Sequence, residues 1–445
     1  MNQKRMTGNL MPTSLPAIAK KAREDKAKRF RDLYRMLNSA NLRICFYELR
    51  KDAAPGVDRV TFEQYEADLD NNLSKLVEKL KNHSYHAKNV RRKYIPKPNG
   101  KMRPLGIPTL EDKLLQLAVS KILEAIYEQD FVEHSWGYRP NRSPQKAVGY
   151  LRELLQSSNV HYVVEADIEG FFDNISHEWM MKMLEKRIDD RAILRLIMKW
   201  LKAGILEETG EIIRPQTGTP QGGIVSPILA NIYLHYTLDL WFERVVKKEI
   251  SRFGKMVRYA DDFVCAFETE EQARKFEEQL GKRLEKFNLK VAPDKTRTIP
   301  FSRRGPLPSE SFDFLGFQYQ WVKGYQSGVP VVHTTTSRKK LRASLRTVGE
   351  WIKSNRSLPI ADYMRTLGQI IRGYTNYYGR IGNSQMLQRY VRIVVYRTYK
   401  WLNRRSQKRS YTWKEFFNLL KHHNILQVAR IKAHHRDLFS TCNPC

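Results

Sequence analysis

The stretch MVRYADDFVCAF (residues 256–267) places two adjacent aspartates between two runs of apolar, β-prone residues. The two runs predict strands, and the YADD segment between them predicts the turn of a hairpin. Carboxylates are rarely left unpaired beside a buried sheet, because removing their charge from water is costly. Asp261 and Asp262 therefore indicate a functional site at the end of a sheet.

A second buried strand, HYVVEADI (residues 161–168), brings another carboxylate, Asp167. If this strand lies beside the hairpin, Asp167 and Asp261 meet at one edge of the sheet. Like charges that close would be protonated unless a divalent cation compensates them. Mg²⁺ prefers few carboxylates together with waters and phosphates, and a pair of such ions is the usual device for phosphoryl transfer. The hairpin alone is weak evidence, since aspartate pairs also form ordinary turns.

Other segments predict the elements around this sheet. YIPKPNGKMRPLGIP (residues 94–108) has turn residues between two extended arms and predicts a second hairpin. Residues 110–128 have helical spacing, and QTGTPQGG (residues 216–223) is typical of a glycine-rich loop. The order of strand, helix, helix, hairpin and helix predicts an α+β core.

Three helices have recognisable starts. Ser176 is a good N-cap for the helix that follows it. Ser226 and Pro227 predict an N-cap followed by a first-turn proline. Thr269 and Gln272 form a capping-box pattern.

Charge is the strongest global signal. The chain has 78 Lys and Arg against 47 Asp and Glu, a formal net charge of +31. Such an excess suits a polyanionic partner, above all nucleic acid. Residues 337–414 contain 19 Lys and Arg but only two acids, Glu350 and Asp362, and tyrosines and tryptophans are interleaved with the arginines. A second, mostly helical domain is expected from about residue 335.

The four cysteines are too few and too scattered for a disulfide framework, which fits a reducing compartment. No segment approaches the roughly 18 continuous apolar residues of a membrane span, so a cytoplasmic protein is expected. The C-terminal His434, His435, Cys442 and Cys445 could supply four zinc ligands on paper, but their spacing is unusual for such a site.

The motifs together resemble reverse transcriptases, specifically the bacterial group II intron-encoded type. The resemblance covers roughly residues 40–430, and the motifs occur in the order that the family has. They are YIPKPNGKMRPLGIPT (94–109), SWGYRPNR (135–142), ADIEGFFDNISH (166–177), TPQGGIVSP (219–227), RYADD (258–262), LKVAPDKT (289–296), FLGF (314–317) and RGYTNYY (372–378).

The resemblance implies a right-hand polymerase of the α+β class, with fingers and a palm whose antiparallel sheet is flanked by helices, followed by an α-helical thumb. The expected domains are a basic N-terminal extension (1–38), fingers and palm (39–335), the thumb or maturase domain (336–430) and a short tail (431–445). Many relatives carry a nuclease domain after the thumb. Only the short tail follows here, so that nuclease is expected to be absent.

The resemblance also implies the metal ligands. Asp167, the carbonyl of Ile168 and Asp261 would hold two Mg²⁺ ions, which Mn²⁺ could replace. Asp262 would be the second, less directly coordinating acid. Asp167, Asp261 and Asp262 are therefore the expected catalytic residues.

Further matches concern the incoming nucleotide. Lys97 and Arg103 match the finger residues that grip the triphosphate, although two solvated hairpin charges would look the same. Gln221 matches the residue that lines the nucleotide pocket, and Gly222 allows close approach of the backbone. Lys295 lies where the family keeps a basic residue near the catalytic sheet.

Two adjacent phenylalanines compete for one role. Phe172 matches the aromatic residue under the incoming sugar, where a ring leaves no room for a 2′-hydroxyl and favours deoxynucleotides. Phe171 is the alternative, and one of the two is expected to be core.

The basic region should bind the template–primer duplex, because arginine binds phosphates and aromatic rings pack on sugars or bases. The expected contacts are Arg338, Lys339, Lys340, Arg372 and Tyr374, although some tyrosines of this region must form helical core.

The expected function is an RNA-directed DNA polymerase that extends a DNA or RNA primer on an RNA template with deoxynucleoside triphosphates. It would also bind a group II intron RNA and assist its splicing, in the bacterial cytoplasm. The alternative is an RNA-binding splicing cofactor, or a free-standing enzyme recruited to DNA repair or phage defence. The three acids favour an active polymerase, because an RNA binder does not need clustered carboxylates facing a polyanion.

Overall fold

The computed structural model describes residues 14–96, 102–156, 159–304, 307, 310–324, 328–380, 382–405, 407–408 and 410–425. The chain folds into two compact units, Met1–Ala147 with His161–Thr298, and Val148–Val160 with Ile299–Cys445. The domain bounds expected from the sequence, with a thumb from residue 336, stay a prediction.

The first unit contains most of the helices and strands. Its helices are α1 (Ser14–Glu24), α2 (Ser39–Glu48), α3 (Phe62–Glu66), α4 (Leu69–Lys81), α5 (Leu110–Tyr127), α6 (Pro144–Leu155, which continues into the second unit), α7 (Phe171–Asn174), α8 (His177–Leu184), α9 (Arg191–Leu201), α10 (Ser226–Leu234), α11 (Lys247–Glu249) and α12 (Glu270–Glu285). Its strands are β1 (Val90–Pro96), β2 (Met102–Ile107), β3 (Tyr162–Asp167), β4 (Ile205–Leu206), β5 (Ile212–Ile213), β6 (Lys255–Tyr259), β7 (Asp262–Phe267) and β8 (Arg297–Pro300).

One sheet of this unit is built on the YADD hairpin. Its strand order is β6-β7-β3-β8, and β7 pairs antiparallel with both β6 and β3. Helix α12 packs on the sheet through Phe276, whose ring centroid lies 5.1 Å from that of Phe267. Val264 and Cys265 are almost fully buried, so this strand runs through the core.

The other sheet contains the predicted second hairpin. Strands β1 and β2 pair antiparallel from Arg91 opposite Ile107 to Pro96 opposite Met102, and the sheet order is β2-β1-β4-β5. The predicted helix over residues 110–128 is α5. The α+β class is therefore confirmed, with an antiparallel sheet flanked by helices and a helical region after it.

Two of the predicted helix caps are confirmed and one is wrong. Ser176 caps α8 by accepting a hydrogen bond from the amide of Trp179, and Thr269 forms the predicted capping box with Gln272. Ser226 as an N-cap is wrong, because α10 begins at Ser226 itself and its hydroxyl donates to the carbonyl of Pro220, 3.0 Å away. The Ser226 hydroxyl therefore binds the preceding loop and does not cap the N-terminus of the helix.

Among the described residues, the second unit combines a small sheet with the helices that follow it. Its elements are β9 (Phe312–Phe314), β10 (Phe317–Lys323), β11 (Pro330–Thr336), α13 (Arg338–Ser354), α14 (Ile360–Tyr378), α15 (Ser384–Leu402) and α16 (Trp413–His422). Asn383 is fully buried and joins the two parts, since its side chain accepts from the amide of Thr336 and donates to the carbonyl of Tyr378. Within the described ranges, every helix is too short or too polar to cross a lipid bilayer.

Candidate active site

The three acids predicted from sequence come together at one end of the sheet. The register pairs Asp262 with Asp167 on β3 and with Tyr259 on β6. Directly opposed residues of antiparallel strands point to the same face, so the Asp167 and Asp262 side chains share a face. Asp261 lies in the two-residue turn between Tyr259 and Asp262.

These carboxylates interact electrostatically. Burial and then the charges of Asp167, Asp261 and Glu165 together raise the pKa of Asp262 to about 8. The pKa of Asp261 is also raised, first by burial and then by Asp167. Lys295 lowers both pKa values, and Arg103 lowers that of Asp261, so these two cations face the acids.

The segment that follows α12 brings Lys295 to the end of β3. The amide of Ala292 donates to the carbonyl of Asp167 at 2.9 Å, and the amide of Glu169 donates to Lys290 at 2.9 Å. Lys295 then forms an ion pair with the Asp167 carboxylate, which raises the pKa of the lysine. Lys295 therefore lies beside the Asp167 carboxylate at the end of the sheet, and its role in nucleotide binding stays a prediction.

The donor atoms fit a hard divalent cation. In the part of the chain that the structure describes, no group of three or more His, Cys, Asp or Glu side chains is arranged to hold a metal ion without further ligands. Mg²⁺ does not need one, since it is commonly held by one or two carboxylates with waters and substrate phosphates. Clustered carboxylates with raised pKa values are the groups whose repulsion a cation relieves.

Asp262→Asn should stabilise the metal-free protein, and more so at high pH. The folded carboxyl keeps its proton up to about pH 8, whereas the unfolded chain releases it near pH 4. The folded state therefore binds more protons across this window, and wild-type stability falls as pH rises through it. In EDTA, the Tm advantage of Asp262→Asn should grow by roughly 2 °C or more between pH 5 and pH 8.5, and Mg²⁺ should reduce it. An advantage that is equal at both pH values contradicts the coupling.

The glycine-rich loop is bonded to both of its neighbours. The amide of Gly106 on β2 donates to the carbonyl of Gln221 at 2.6 Å, and the amide of Thr219 donates to Phe172 at 2.8 Å. Gly222 has φ +115°, and a Cβ there would lie 2.7 Å from the carbonyl oxygen of Gly106. Glycine is thus required by both conformation and space, and the loop connects the β1–β2 hairpin to α7.

The structure separates the two competing phenylalanines. Phe171 is 2% exposed and packs near Tyr233, with ring centroids 6.4 Å apart. Phe171 is therefore core, and its predicted role in nucleotide binding is wrong. Phe172 is half-buried, and its carbonyl accepts from the glycine-rich loop. Phe172 remains the candidate for the sugar contact.

The remaining predicted residues differ in accessibility. Arg103 is exposed on β2. Lys97 lies outside the described residues, as do His434, His435, Cys442 and Cys445. In the second unit the side chains of Arg338, Lys339, Lys340 and Arg372 are exposed.

Tyr374 is not available to nucleic acid. It is 8% exposed, and its ring stacks on that of Tyr390 with centroids 3.5 Å apart. Its predicted contact is wrong, because the helical spacing that places Arg372 outside turns Tyr374 into the core between α14 and α15.

Sequence reasoning missed the residues that support the YADD turn. A Cβ on Gly137 would lie 2.5 Å from the amide nitrogen of Ala260. The Arg258 side chain is fully buried and donates to the carbonyl of Ala260 at 3.0 Å. Gly137 lies in the SWGYRPNR motif and Arg258 in the RYADD motif. The charge of Arg258 inside an apolar strand could have indicated a buried ion pair.

Two protein families match this chain. The family described as "Reverse transcriptase (RNA-dependent DNA polymerase)" matches residues 95–319, and "Group II intron, maturase-specific domain" matches residues 341–417. The first match contains the carboxylates and the glycine-rich loop. The second begins within α13.

Individual proteins are also similar to this chain in sequence. The Group II intron-encoded protein LtrA of Lactococcus lactis subsp. cremoris is 40% identical over 223 residues, which are 50% of this chain and 37% of LtrA. Protein YkfC of Escherichia coli (strain K12) is 32% identical over 315 residues, 64% of this chain and 81% of YkfC. The Putative COX1/OXI3 intron 1 protein of Saccharomyces cerevisiae is 35% identical over 193 residues, 42% of this chain and 23% of that protein.

The match thus spans little more than a third of LtrA but most of YkfC. The reverse transcriptase match alone covers about half of the chain. This chain belongs to the reverse transcriptase family, and its residues 341–417 match the maturase-specific domain of group II introns.

Proposed function

We propose that this chain copies RNA into DNA, extending a DNA or RNA primer with deoxynucleoside triphosphates. The observation that carries the proposal is the cluster of Asp167, Asp261 and Asp262, faced by Lys295 and Arg103. Clustered acids, two of which have raised pKa values, are unfavourable in a protein whose only task is to bind a polyanion. They are suited to divalent cations that bridge protein and triphosphate.

Asp167, Asp261 and the carbonyl of Ile168 would hold two Mg²⁺ ions, or Mn²⁺ in their place, with Asp262 as the second acid. When bound, such ions polarise the phosphoryl group and lower the pKa of the attacking hydroxyl. Lys295 would neutralise part of the charge at this site through its ion pair with the Asp167 carboxylate.

The other residues bind and orient the nucleotide. Arg103, together with Lys97, would neutralise charge on the triphosphate. Gln221 and Gly222 would line the pocket, where the missing side chain of Gly222 allows the backbone to approach the substrate. Phe172 would lie under the sugar.

The direct test is extension of a labelled primer by the purified protein, with RNA and DNA templates compared. Full-length cDNA should require Mg²⁺ or Mn²⁺ and deoxynucleotides. No extension on any template with either metal would reject the polymerase and leave the alternative of an RNA-binding splicing cofactor.

We propose further that the second unit binds RNA, including the group II intron RNA that the maturase-specific match suggests. Arg338, Lys339 and Lys340 occupy the exposed first turn of α13, which contains no acidic residue. The helix dipole disfavours cations at this end. An arrangement that weakens the helix is consistent with a contact to phosphates.

Replacing Arg338, Lys339 and Lys340 together by alanine should weaken RNA binding without loss of stability. Each lost phosphate contact removes counterion release, so the slope of log affinity against log salt should fall by about 2 to 3 units. Tm should stay level or rise, since the helix dipole no longer opposes three cations.

Arg274, Lys275 and Lys282 on α12 provide the matched control. They are also exposed, and their replacement removes the same charge from the first unit. If both triple variants lose the same RNA affinity, the loss comes from the change in net charge and not from a specific RNA contact of α13.

Splicing can be separated from polymerisation in the same variants. With a cognate intron RNA, Asp261→Ala should still promote splicing, because RNA binding does not need the metal ligands. The α13 triple variant should not. If the wild-type protein accelerates splicing of no RNA, a free-standing polymerase in repair or defence remains.

A further inference from the structure

The Arg258 side chain is a fully buried cation with a complete set of partners. Its guanidinium donates to both carboxylate oxygens of Asp239, at 2.7 and 2.5 Å. It also donates to Ser135 Oγ at 2.7 Å and to Asn231 Oδ1 at 3.3 Å. Its remaining contact, at 3.0 Å, is with the backbone carbonyl of Ala260.

Stability alone does not account for this ion pair. Both partners are 0% exposed, and the desolvation of a buried pair commonly cancels its Coulombic gain, so an apolar pair of similar volume would be as stable. What an apolar pair could not supply is the bond to Ala260, the residue immediately before Asp261.

The turn itself needs outside support. Ala260 has φ +57°, a conformation that residues with a Cβ adopt only at an energetic cost. Strain of this kind persists where the surroundings determine the backbone. Here Arg258 holds the carbonyl of Ala260 from one side, and the backbone of Gly137 contacts its amide from the other.

The supporting residues are themselves tied together. Asn231 on α10 donates to the carbonyl of Gly137 at 2.7 Å and accepts from Arg258. Asp239 ends a π-helical segment, His235–Asp239, that continues α10. The segment around Ser135 runs beside β6, where the amide of Arg258 donates to His134 and that of Trp136 donates to Arg258.

We propose that Arg258 and Asp239 are positioning residues that fix the Asp261 carboxylate through the backbone of Ala260. The inference rests on the proposed polymerase function. Asp261 lies in the turn directly after Ala260, whose carbonyl accepts from Arg258 and whose amide lies against Gly137. Loss of these contacts lets the turn relax, which moves the carboxylate while the sheet remains paired.

The central test is the double variant Arg258→Met/Asp239→Leu, which replaces the ion pair by apolar side chains. We expect kcat for single-nucleotide addition to fall about 10- to 100-fold, the usual cost of a displacement of about 1 Å in a catalytic group. KM for the nucleotide should change less than about threefold, because Arg103 and the glycine-rich loop are untouched.

A matched control is available in the same unit. Arg187 is 2% exposed and forms an ion pair with Asp130 at 3.0 Å, and it also donates to the carbonyl of Ala22. Arg187→Met/Asp130→Leu removes a comparable buried pair that has no contact with the YADD turn. It should lower Tm at least as much as the test variant and leave kcat within about threefold of wild type.

Gly137→Ala perturbs the turn without touching the ion pair. Its φ is not positive, so alanine is tolerated by the backbone, but the new methyl group overlaps the amide of Ala260. Gly137→Ala should therefore also lower kcat, and this variant can be measured even if the double variant does not fold. Gly281→Ala on α12 is its control, because a Cβ there meets nothing within 4 Å.

Mn²⁺ binding, measured by electron paramagnetic resonance on the free protein, separates the two proposals. Weaker Mn²⁺ binding in the double variant and in Gly137→Ala supports the positioning proposal. This holds even if the wild-type protein extends no primer, because a lack of extension rejects only the polymerase proposal. The positioning proposal is overturned if kcat and Mn²⁺ affinity stay within threefold of the controls. It is also overturned if the Arg187/Asp130 control loses both equally.

Discussion

Asp261→Ala should abolish extension of a primer on an RNA template, lowering kcat by at least about 10³-fold. The carboxylate is expected to hold a divalent ion that contributes several kcal/mol to transition-state stabilisation, at about 1.4 kcal/mol for each tenfold in rate. Asp167→Ala should behave in the same way, since Asp167 is the other carboxylate expected to hold the ions and its charge acts on Asp261. The measurement is single-turnover addition of one deoxynucleotide by purified protein.

The variant must be shown to fold. Because burial and Asp167 raise the pKa of Asp261, the ionised carboxylate is unfavourable in the metal-free protein, and its removal should leave Tm unchanged or raise it. Asp52→Ala, which removes an exposed carboxylate paired with Arg50, should extend primers like the wild type. Full-length products from purified Asp261→Ala protein would refute the assignment.

Phe172→Val should admit ribonucleotides. A shortened side chain leaves room for the 2′-hydroxyl, and the preference for deoxynucleotides, as the ratio of kcat/KM values, should fall on the order of 10²-fold. Use of deoxynucleotides should change only moderately, because the backbone carbonyl of Phe172 still accepts its bond from Thr219. Parallel measurements with the two forms of one nucleotide give the ratio.

Phe171→Val is the matched comparison. The same atoms are removed one residue earlier, from a ring that is 2% exposed, so the expected effect is a lower Tm with sugar selection intact. If Phe171→Val admits ribonucleotides and Phe172→Val does not, the motif has been aligned one residue out of register.

Much of the site was predictable because its signals are local. The alternation around YADD and the run before Asp167 predict strands from side-chain pattern alone. The capping box at Thr269 and Gln272 depends on residues three apart, and it is present in the structure. That Asp167 lies beside the hairpin followed from the charge argument, since isolated buried carboxylates are unfavourable.

Local pattern was insufficient wherever two similar residues had different neighbours. Phe171 and Phe172 are adjacent and chemically identical, and the contact with Tyr233 decides which one is core. Tyr374 lies in a basic, aromatic-rich segment, yet the ring of Tyr390 covers it. Ser226 has the composition of an N-cap, but the nearby carbonyl of Pro220 takes its hydroxyl.

The family, the α+β class and the clustering of three acids were predictable from the amino-acid sequence, because strand pattern, turn residues and motif order all lie along the chain. The contacts that hold the acids became visible only in the folded protein. Arg258 meets Ser135, which lies 123 positions earlier, and Asn231 meets Gly137 across 94 positions. Such contacts join groups whose separation in sequence carries no periodic signal, and whether a charge is buried and satisfied depends on every element packed around it.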